Sequence, residues 1–172
     1  MKLNIKRKIS FFLICLSLYI FVCIDSFAQS KNPKCDAWHN RIAPQTHLNL
    51  SGVSNMTQEE IFDGIACLMK LKGKKNSSNV MGASRGDVSN FFGATSVEVA
   101  ALYYISFLFY QKWDHADAPF LVDKSRKLNS IKAVSKAYKS YEKWFKRVKT
   151  LGLDKARKQK LDPLDGSGVS WY

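Results

Sequence analysis

The sequence predicts an all-α fold, a small single-domain bundle of about four to six helices around a central hydrophobic helix at about 95–113. Three observations favour this prediction. An uncharged run of 12 residues covers positions 99–110, a strongly amphipathic segment covers 130–149, and helix-start patterns occur at Thr57 and Thr95. No repeat of fixed period is present, so one domain is the natural expectation for a chain of this length.

Residues 1–28 have the layout of a secretory signal peptide and are set apart from the fold. Basic residues come first, an apolar stretch covers 9–24, and Ser26 and Ala28 are small residues at the two positions that a signal peptidase reads. We expect cleavage after Ala28, which leaves residues 29–172 as a single helical domain without a transmembrane helix. The alternative is an uncleaved anchor, because the apolar stretch is near the lower length limit for spanning a bilayer.

Removal of this segment also removes two of the four cysteines, and Cys35 and Cys67 remain. In an oxidising compartment these two are expected to form one disulfide, which closes a loop of about 30 residues and stabilises the fold by roughly 3 to 4 kcal/mol. The alternatives are a reactive thiol pair or a metal site, although neither cysteine belongs to a CxxC motif. We therefore predict an exported domain, periplasmic or extracellular and associated with the cell envelope.

The chain is strongly basic. It has 27 Lys and Arg against 14 Asp and Glu, a formal net charge of +13, and about +10 remains on residues 29–172. A surplus of this size favours association with an anionic surface. For an exported chain the expected partners are an anionic envelope polymer, an acidic protein, or lipid headgroups in a peripheral membrane contact. The usual signatures of DNA and RNA binding are absent, and no nucleic acid partner is predicted.

The first two helices are predicted from their start patterns. Asn32 is the expected cap of a short first helix with Pro33 in its first turn, where the missing N–H of proline costs nothing. Thr57 and Glu60 form a capping-box pattern at the start of the second helix, in which each side chain accepts a hydrogen bond from the backbone N–H of the other residue. The predicted disulfide would join these two helices.

The central helix has a similar start at Thr95, and Glu98 is expected to bond the backbone N–H at the start of its own helix. The uncharged run 99–110 is too short to span a bilayer and fits a buried helix. Its apolar residues lie on all sides, so we expect neighbouring helices to surround it. Three tyrosines on this helix need hydrogen-bond partners or an outlet to solvent: Tyr103, Tyr104 and Tyr110.

The longest amphipathic helix is predicted at 130–149. Its apolar stripe consists of residues spaced by three and four positions: Ile131, Val134, Tyr138, Tyr141, Phe145 and Val148. A basic stripe with the same spacing is the candidate binding surface: Lys132, Lys136, Lys139, Lys143 and Lys146. This stripe is either the solvated face of an ordinary amphipathic helix or the footprint of an anionic partner.

Shorter elements are predicted on both sides of this helix. Before it, Asp117 is the expected cap of a short helix with Pro119 in its first turn. After it, Gly152 ends the long helix and a short helix follows at 153–160. The tail 161–172 ends in Val169, Trp171 and Tyr172, and these apolar side chains predict that it folds back onto the domain or docks on a partner.

Candidate catalytic residues are few. Asp114, His115 and Asp117 are weak candidates for acid–base chemistry, because a histidine beside two carboxylates can transfer protons. Glu98 lies about 25 Å from His115 along the predicted helix, too far to join them. The structural interpretation of the three is a helix end followed by a cap.

Metal binding is not required by the sequence. His39, His47 and His115 would make a three-histidine zinc site geometrically possible, but nothing in their spacing demands it. We predict no metal site and no cofactor. Three acceptor patterns for N-glycosylation are also present, at Asn49, Asn55 and Asn76.

Two functions from different classes remain open. The leading hypothesis is an exported helical interaction protein that engages an anionic envelope polymer or an acidic protein partner, and an immunity-like protein that neutralises an acidic toxin is one form of it. The alternative is a small secreted hydrolase that acts on envelope polymers, with Asp114, His115 and Asp117 as its site. The sequence favours a binding protein over an enzyme, because nucleophile motifs and phosphate-binding glycine patterns are absent.

Overall fold

The fold is built from helices, with one sheet of two short strands. The computed structural model describes residues 33–42, 52–78, 95–111 and 119–172, and the predicted signal peptide lies outside these ranges. The elements are α1 (Pro33–His39), a 3-10 turn (Val53–Asn55), α2 (Gln58–Met69), α3 (Val97–Tyr110), β1 (Leu121–Asp123), α4 (Ile131–Leu151), α5 (Leu153–Lys158) and β2 (Val169–Trp171). The predicted all-α bundle around a central hydrophobic helix is confirmed.

The start of α2 is the predicted capping box. Glu60 accepts a hydrogen bond from the backbone N–H of Thr57 at 2.8 Å. The Thr57 hydroxyl accepts one from the backbone N–H of Glu60 at 3.3 Å. Two backbone donors that the helix itself cannot satisfy are therefore paired, which fixes where α2 begins.

The predicted disulfide between Cys35 and Cys67 is present and joins α1 to α2. Further contacts hold the same two helices together. His39 Nε2 lies 3.1 Å from the carbonyl oxygen of Cys67, and Lys34 forms an ion pair with Asp63. The short helix α1 is thus fixed to the longer one by a covalent bond and by polar contacts.

The packing of α1 on α2 depends on Gly64, which faces the indole ring of Trp38. A Cβ atom at position 64 would lie 2.7 Å from two carbons of that ring, closer than carbon atoms can approach. We expect G64A to lower the free energy of unfolding by about 1 to 3 kcal/mol, because the clash outweighs the helix propensity of about 1 kcal/mol that alanine gains. Urea unfolding of the purified protein measures the change.

A double-mutant cycle provides the control for this prediction. In a W38A background the ring is absent, and G64A should then be neutral or stabilising because only the helix propensity remains. A G64A variant that costs the same in both backgrounds would show that the Trp38 ring is not the cause.

Helix α3 occupies the centre of the fold, and all of its residues except Tyr110 are buried. Helices α2, α4 and α5 each pack against it, which confirms that neighbours surround it. Tyr104 accepts a hydrogen bond from Arg41 at 3.2 Å, and Ser106 shares one of 2.5 Å with Tyr141 of α4. Hydroxyl groups inside the core therefore have partners, as burial requires.

Glu98 does not form the predicted capping box. The cap of α3 is Ser96, which makes no side-chain hydrogen bond there. Glu98 instead accepts a hydrogen bond of 2.8 Å from the backbone N–H of Gly73, and Thr95 accepts one of 3.0 Å from the Asn129 amide. The prediction was wrong because both capping residues bond to segments that are distant in the sequence.

The chain after Pro119 forms a strand and not the predicted short helix. Strand β1 pairs antiparallel with β2, with Leu121 opposite Trp171. The expected cap Asp117 lies outside the described residues. Proline at the start of an extended segment is compatible with a strand as well as with a helix, and here the pairing partner decides between them.

The tail folds back onto the domain, as predicted. Strand β2 is part of it, and the Trp171 ring packs edge-on against Tyr103 of α3 at 5.3 Å between centroids. The backbone N–H of Tyr172 donates to the carbonyl of Phe120 at 2.9 Å. The tail is therefore part of the core structure.

Helices α4 and α5 follow the predicted positions closely. The Ser130 hydroxyl caps α4 by accepting from the backbone N–H of Ala133 at 3.1 Å, and Gly152 ends the helix with a positive φ of 82°. Such a φ favours glycine. Among the described residues, no helix combines the length and apolar character needed to cross a membrane.

Candidate anion-binding surface

The outer side of α4 carries the predicted basic stripe, which we call the lysine row: Lys132, Lys136, Lys139, Lys143 and Lys146. Ala137, Tyr141 and Val148 point the other way, into the core. The helical rise of about 1.5 Å per residue makes the row about 21 Å long. All its members are exposed except Lys136, which is half-buried.

No lysine of the row forms an ion pair with a carboxylate of the described residues. Two ion pairs join described residues, Lys34 with Asp63 and Lys72 with Glu142, and neither includes a lysine of the row. Glu142 is the acidic residue of α4, and its bond of 3.1 Å to Lys72 directs it toward the end of α2. The positive charge of the row is therefore available to a partner.

Asp123 is the described carboxylate whose charge interacts with the start of the row. The Ser125 hydroxyl and backbone N–H lower the pKa of this carboxyl group most, and Lys136 and Lys132 lower it further. The carboxylate is therefore ionised at neutral pH and partly balances these two lysines. Lys139, Lys143 and Lys146, further along the row, form no ion pair within the described residues, although Asp162 and Asp165 line the same cavity as Lys143.

Both ends of α4 are fixed by polar contacts. At its start, the Asn129 side chain accepts from the backbone N–H of Leu121 at 2.8 Å and donates to Thr95 at 3.0 Å. At its end, the backbone N–H of Leu153 donates to the Gln58 side chain at 2.7 Å. The positions of the lysine Cα atoms are consequently set by the fold.

The charge continues beyond α4. Residues 119–172 contain 14 Lys and Arg against 5 Asp and Glu. A cavity of about 360 Å³ lies between α4 and the segment 159–165, and we call it the basic cleft. Lys143 of the row lines it together with two further cations, Arg147 and Lys160. Its lining residues are Ser140, Lys143, Trp144, Arg147, Gln159, Lys160, Leu161, Asp162 and Asp165.

One lining residue of the basic cleft, Trp144, carries a buried donor that has no acceptor among the described residues. Trp144 is 6% exposed, and its indole Nε1 is buried with no hydrogen-bond partner among the described residues. The indole ring packs edge-on against Phe109 at 4.9 Å between centroids. An unpaired buried N–H costs about 1 to 3 kcal/mol, so this group would gain from an acceptor supplied by a ligand or water.

A half-buried tyrosine, Tyr110, lies near Asp162 of the same cleft. Burial raises the pKa of the Tyr110 hydroxyl, and the nearby Asp162 carboxylate raises it further. Burial also raises the pKa of Tyr141. Both hydroxyls consequently remain protonated at neutral pH and carry no negative charge that would oppose an anionic ligand.

A second cleft of about 540 Å³ lies between the end of α2, the start of α3 and the start of α4. Lys72, Lys75 and the buried Glu98 are its charged lining residues. Ile131, predicted as part of the apolar stripe, is instead 77% exposed at this cleft. Ile131 is the first residue of α4 and lies beyond the part of the helix that packs on the core, which explains why it is exposed.

The predicted catalytic residues are not brought together by the described structure. Asp114, His115 and Asp117 lie outside the described residues, as does His47. His39 contacts the carbonyl oxygen of Cys67 on the neighbouring helix. In the ranges that the structure describes, no group of three or more His, Cys, Asp or Glu side chains is placed to hold a metal ion.

Sequence analysis did not identify the basic cleft. Arg147 follows Lys143 by four positions and therefore lies beside it on the helix, which was an available signal. Lys160, Asp162 and Asp165 come from a separate segment, and no periodic pattern connects that segment to α4.

No protein-family model, no curated protein and no solved structure matches this chain.

Proposed function

We propose that this chain is an exported helical interaction protein whose lysine row binds an anionic polymer of the cell envelope. The observation that carries the proposal is the row itself, which is about 21 Å long, exposed at four of its five lysines and without ion-pair partners among the described residues. A linear set of like charges matches a linear ligand with repeated charges. The Cys35–Cys67 disulfide and the signal-peptide layout of residues 1–28 support export.

A flat lipid surface fits the row less well than a polymer does. Peripheral membrane helices insert an apolar face between the lipids, and the apolar side of α4 is buried in the core. Ile131 and Tyr172 are the large hydrophobic side chains that stand exposed in the described parts of the chain, and neither lies within the row. Electrostatic contact with anionic headgroups would therefore lack an apolar anchor.

Charge reversal within the row tests the proposal. We expect K136E/K139E/K143E to weaken binding to an anionic polymer at least about tenfold, because each exposed ion pair contributes about 0.2 to 1 kcal/mol and each reversal adds repulsion. The probes are polygalacturonate, polyphosphate and poly-L-glutamate, each immobilised on a biosensor and measured over a range of salt concentrations. Higher salt should weaken binding of the parent protein.

A variant with the same charge change at other positions is the control. Lys124, Lys127 and Lys155 are exposed and lie outside the row, so K124E/K127E/K155E should reduce binding much less. Equal losses in both variants would show that net charge, and not the row, governs binding, and would contradict the proposal. Preference for poly-L-glutamate over both other polymers would favour an acidic protein as the partner.

The secreted hydrolase stays an alternative prediction. Its candidate residues, Asp114, His115 and Asp117, lie outside the described ranges, and no contact among the described residues favours it over binding.

A further inference from the structure

We infer that the basic cleft holds one acidic sugar unit, so that the polymer bound by the lysine row is an acidic polysaccharide of the uronate class. This inference rests on the proposed function, because it names the chemistry of the same ligand. It is carried by three features of the cleft: its continuity with the row, its mixture of cations and carboxylates, and its unpaired indole N–H.

Lys143 belongs both to the lysine row and to the lining of the basic cleft. A chain that follows the row therefore reaches the cleft without leaving positive surface. Arg147 and Lys160 add two further cations there. The volume of about 360 Å³ lies at the lower end of the range of about 300 to 1,000 Å³ for small-molecule sites, which suits one polymer unit and not a folded protein.

Two carboxylates stand among these cations. Asp162 and Asp165 line the same cleft, and neither forms an ion pair with its lysines or arginine in the described structure. One oxygen of Asp162 accepts a hydrogen bond of 2.7 Å from the backbone N–H of Leu164, and Asp165 is exposed. Both therefore keep oxygen atoms that can accept hydrogen bonds from a ligand.

This mixture of charges discriminates between polyanions. A polyphosphate has negative charge on every unit and few donors, so the two carboxylates repel it. A uronate unit has one carboxylate and several hydroxyl groups. Its carboxylate matches the Lys and Arg side chains, while its hydroxyl groups donate to Asp162 and Asp165.

The indole N–H of Trp144 adds a donor that lacks an acceptor among the described residues. Sugar rings supply acceptors in every hydroxyl, ring and carboxylate oxygen. The Nε1 atom is itself buried, so a ligand oxygen, or a water that the ligand orders, pairs with it only when the indole or the cleft wall moves. The proposed complex includes this movement, and the bound sugar then satisfies the group.

The test uses the purified protein with a galacturonate oligomer of defined length, the corresponding neutral oligosaccharide and polyphosphate. We expect W144F, which keeps an aromatic ring but removes the N–H, to weaken oligogalacturonate binding about five- to tenfold and to leave polyphosphate binding unchanged. W38F is the matched control, since Trp38 packs against α2 and does not line the cleft. D162N/D165N should strengthen polyphosphate binding without strengthening oligogalacturonate binding.

A second measurement observes ligand binding directly on the parent protein. The chain has four tryptophans, and their indole ¹⁵N–¹H resonances can be followed during titration, with W144F used for assignment. We expect the Trp144 resonance to shift with oligogalacturonate and not with the neutral oligosaccharide. An oligogalacturonate complex in which this resonance does not move would overturn the inference.

The other outcomes separate the inference from the proposed function. Tighter binding of polyphosphate than of oligogalacturonate, with K136E/K139E/K143E still impaired, rejects the acidic sugar and leaves the lysine row as a polyanion site. Failure of polygalacturonate, polyphosphate and poly-L-glutamate to bind the parent protein rejects both.

Discussion

Removal of the Cys35–Cys67 disulfide is expected to lower the free energy of unfolding by about 3 to 4 kcal/mol. The two cysteines are 32 residues apart, and a cross-link over a loop of that length removes entropy from the unfolded chain by about this amount. Small domains have total stabilities of about 5 to 15 kcal/mol, so the loss is a large share. Urea unfolding of C35A/C67A against the parent protein measures it.

A reductant supplies the control for this prediction. It should bring the parent protein close to the stability of C35A/C67A and leave that variant unchanged. Equal stability of the oxidised parent and C35A/C67A would mean that the contacts between α1 and α2 persist in the unfolded state or that strain cancels the entropy.

Replacement of Arg157 is expected to have the next largest effect. Its guanidinium group donates to the carbonyls of Phe109 at 2.6 Å and Leu108 at 3.1 Å, which belong to the last turn of α3. Helices cannot satisfy these carbonyls themselves. Two charge-assisted bonds in a partly buried setting predict a loss of about 2 to 4 kcal/mol in R157M, measured by urea unfolding.

Two further variants define the cause. Burial lowers the pKa of the Arg157 guanidinium, but arginine still remains charged at neutral pH. R157K should recover part of the lost stability, because lysine keeps the charge but lacks the planar guanidinium group. K158M, at the exposed neighbouring position, should change stability by less than about 0.5 kcal/mol. Similar losses in R157M and K158M would contradict a specific role for the guanidinium group.

Sequence patterns predicted the helices well because their determinants are local. The capping box of Thr57 and Glu60 marks the start of α2 with residues three positions apart, and the apolar and basic spacing of α4 is contained in one helix. The disulfide was predictable because residues 29–172 hold two cysteines. For the helices, the pattern and the structure that it predicts lie within the same few turns. For the disulfide, one pairing was available once the predicted signal peptide had been set aside.

The wrong predictions share a different cause. Strand β1 exists because it pairs with β2, and Leu121 and Trp171 are 50 positions apart in the chain. Glu98 does not cap its own helix but accepts a hydrogen bond from the backbone N–H of Gly73, 25 residues earlier. Local propensity cannot show such partners, and tertiary contacts override it.

The same distinction between local patterns and distant contacts applies to the candidate site. The alignment of the five lysines on one face of α4 follows from helical periodicity, whereas the basic cleft needs Trp144 and Arg147 of α4 together with Lys160 and Asp162. The binding role of the row stays a prediction. Only the fold shows that Gly152 and α5 turn the chain so that this second segment returns to α4. Arg157 was missed for the same reason, since its acceptors lie 48 and 49 residues away.

The anchoring of α4 at Asn129 and at Leu153 has a thermodynamic consequence for recognition. Because the backbone that carries the lysine row is already ordered, a ligand has to restrict only the side chains and itself. The proposed contacts are ionic and would bury little apolar surface, so association should involve a small change in heat capacity. In the proposed complex, the fixed spacing of the lysines would favour polymers whose repeat length matches it.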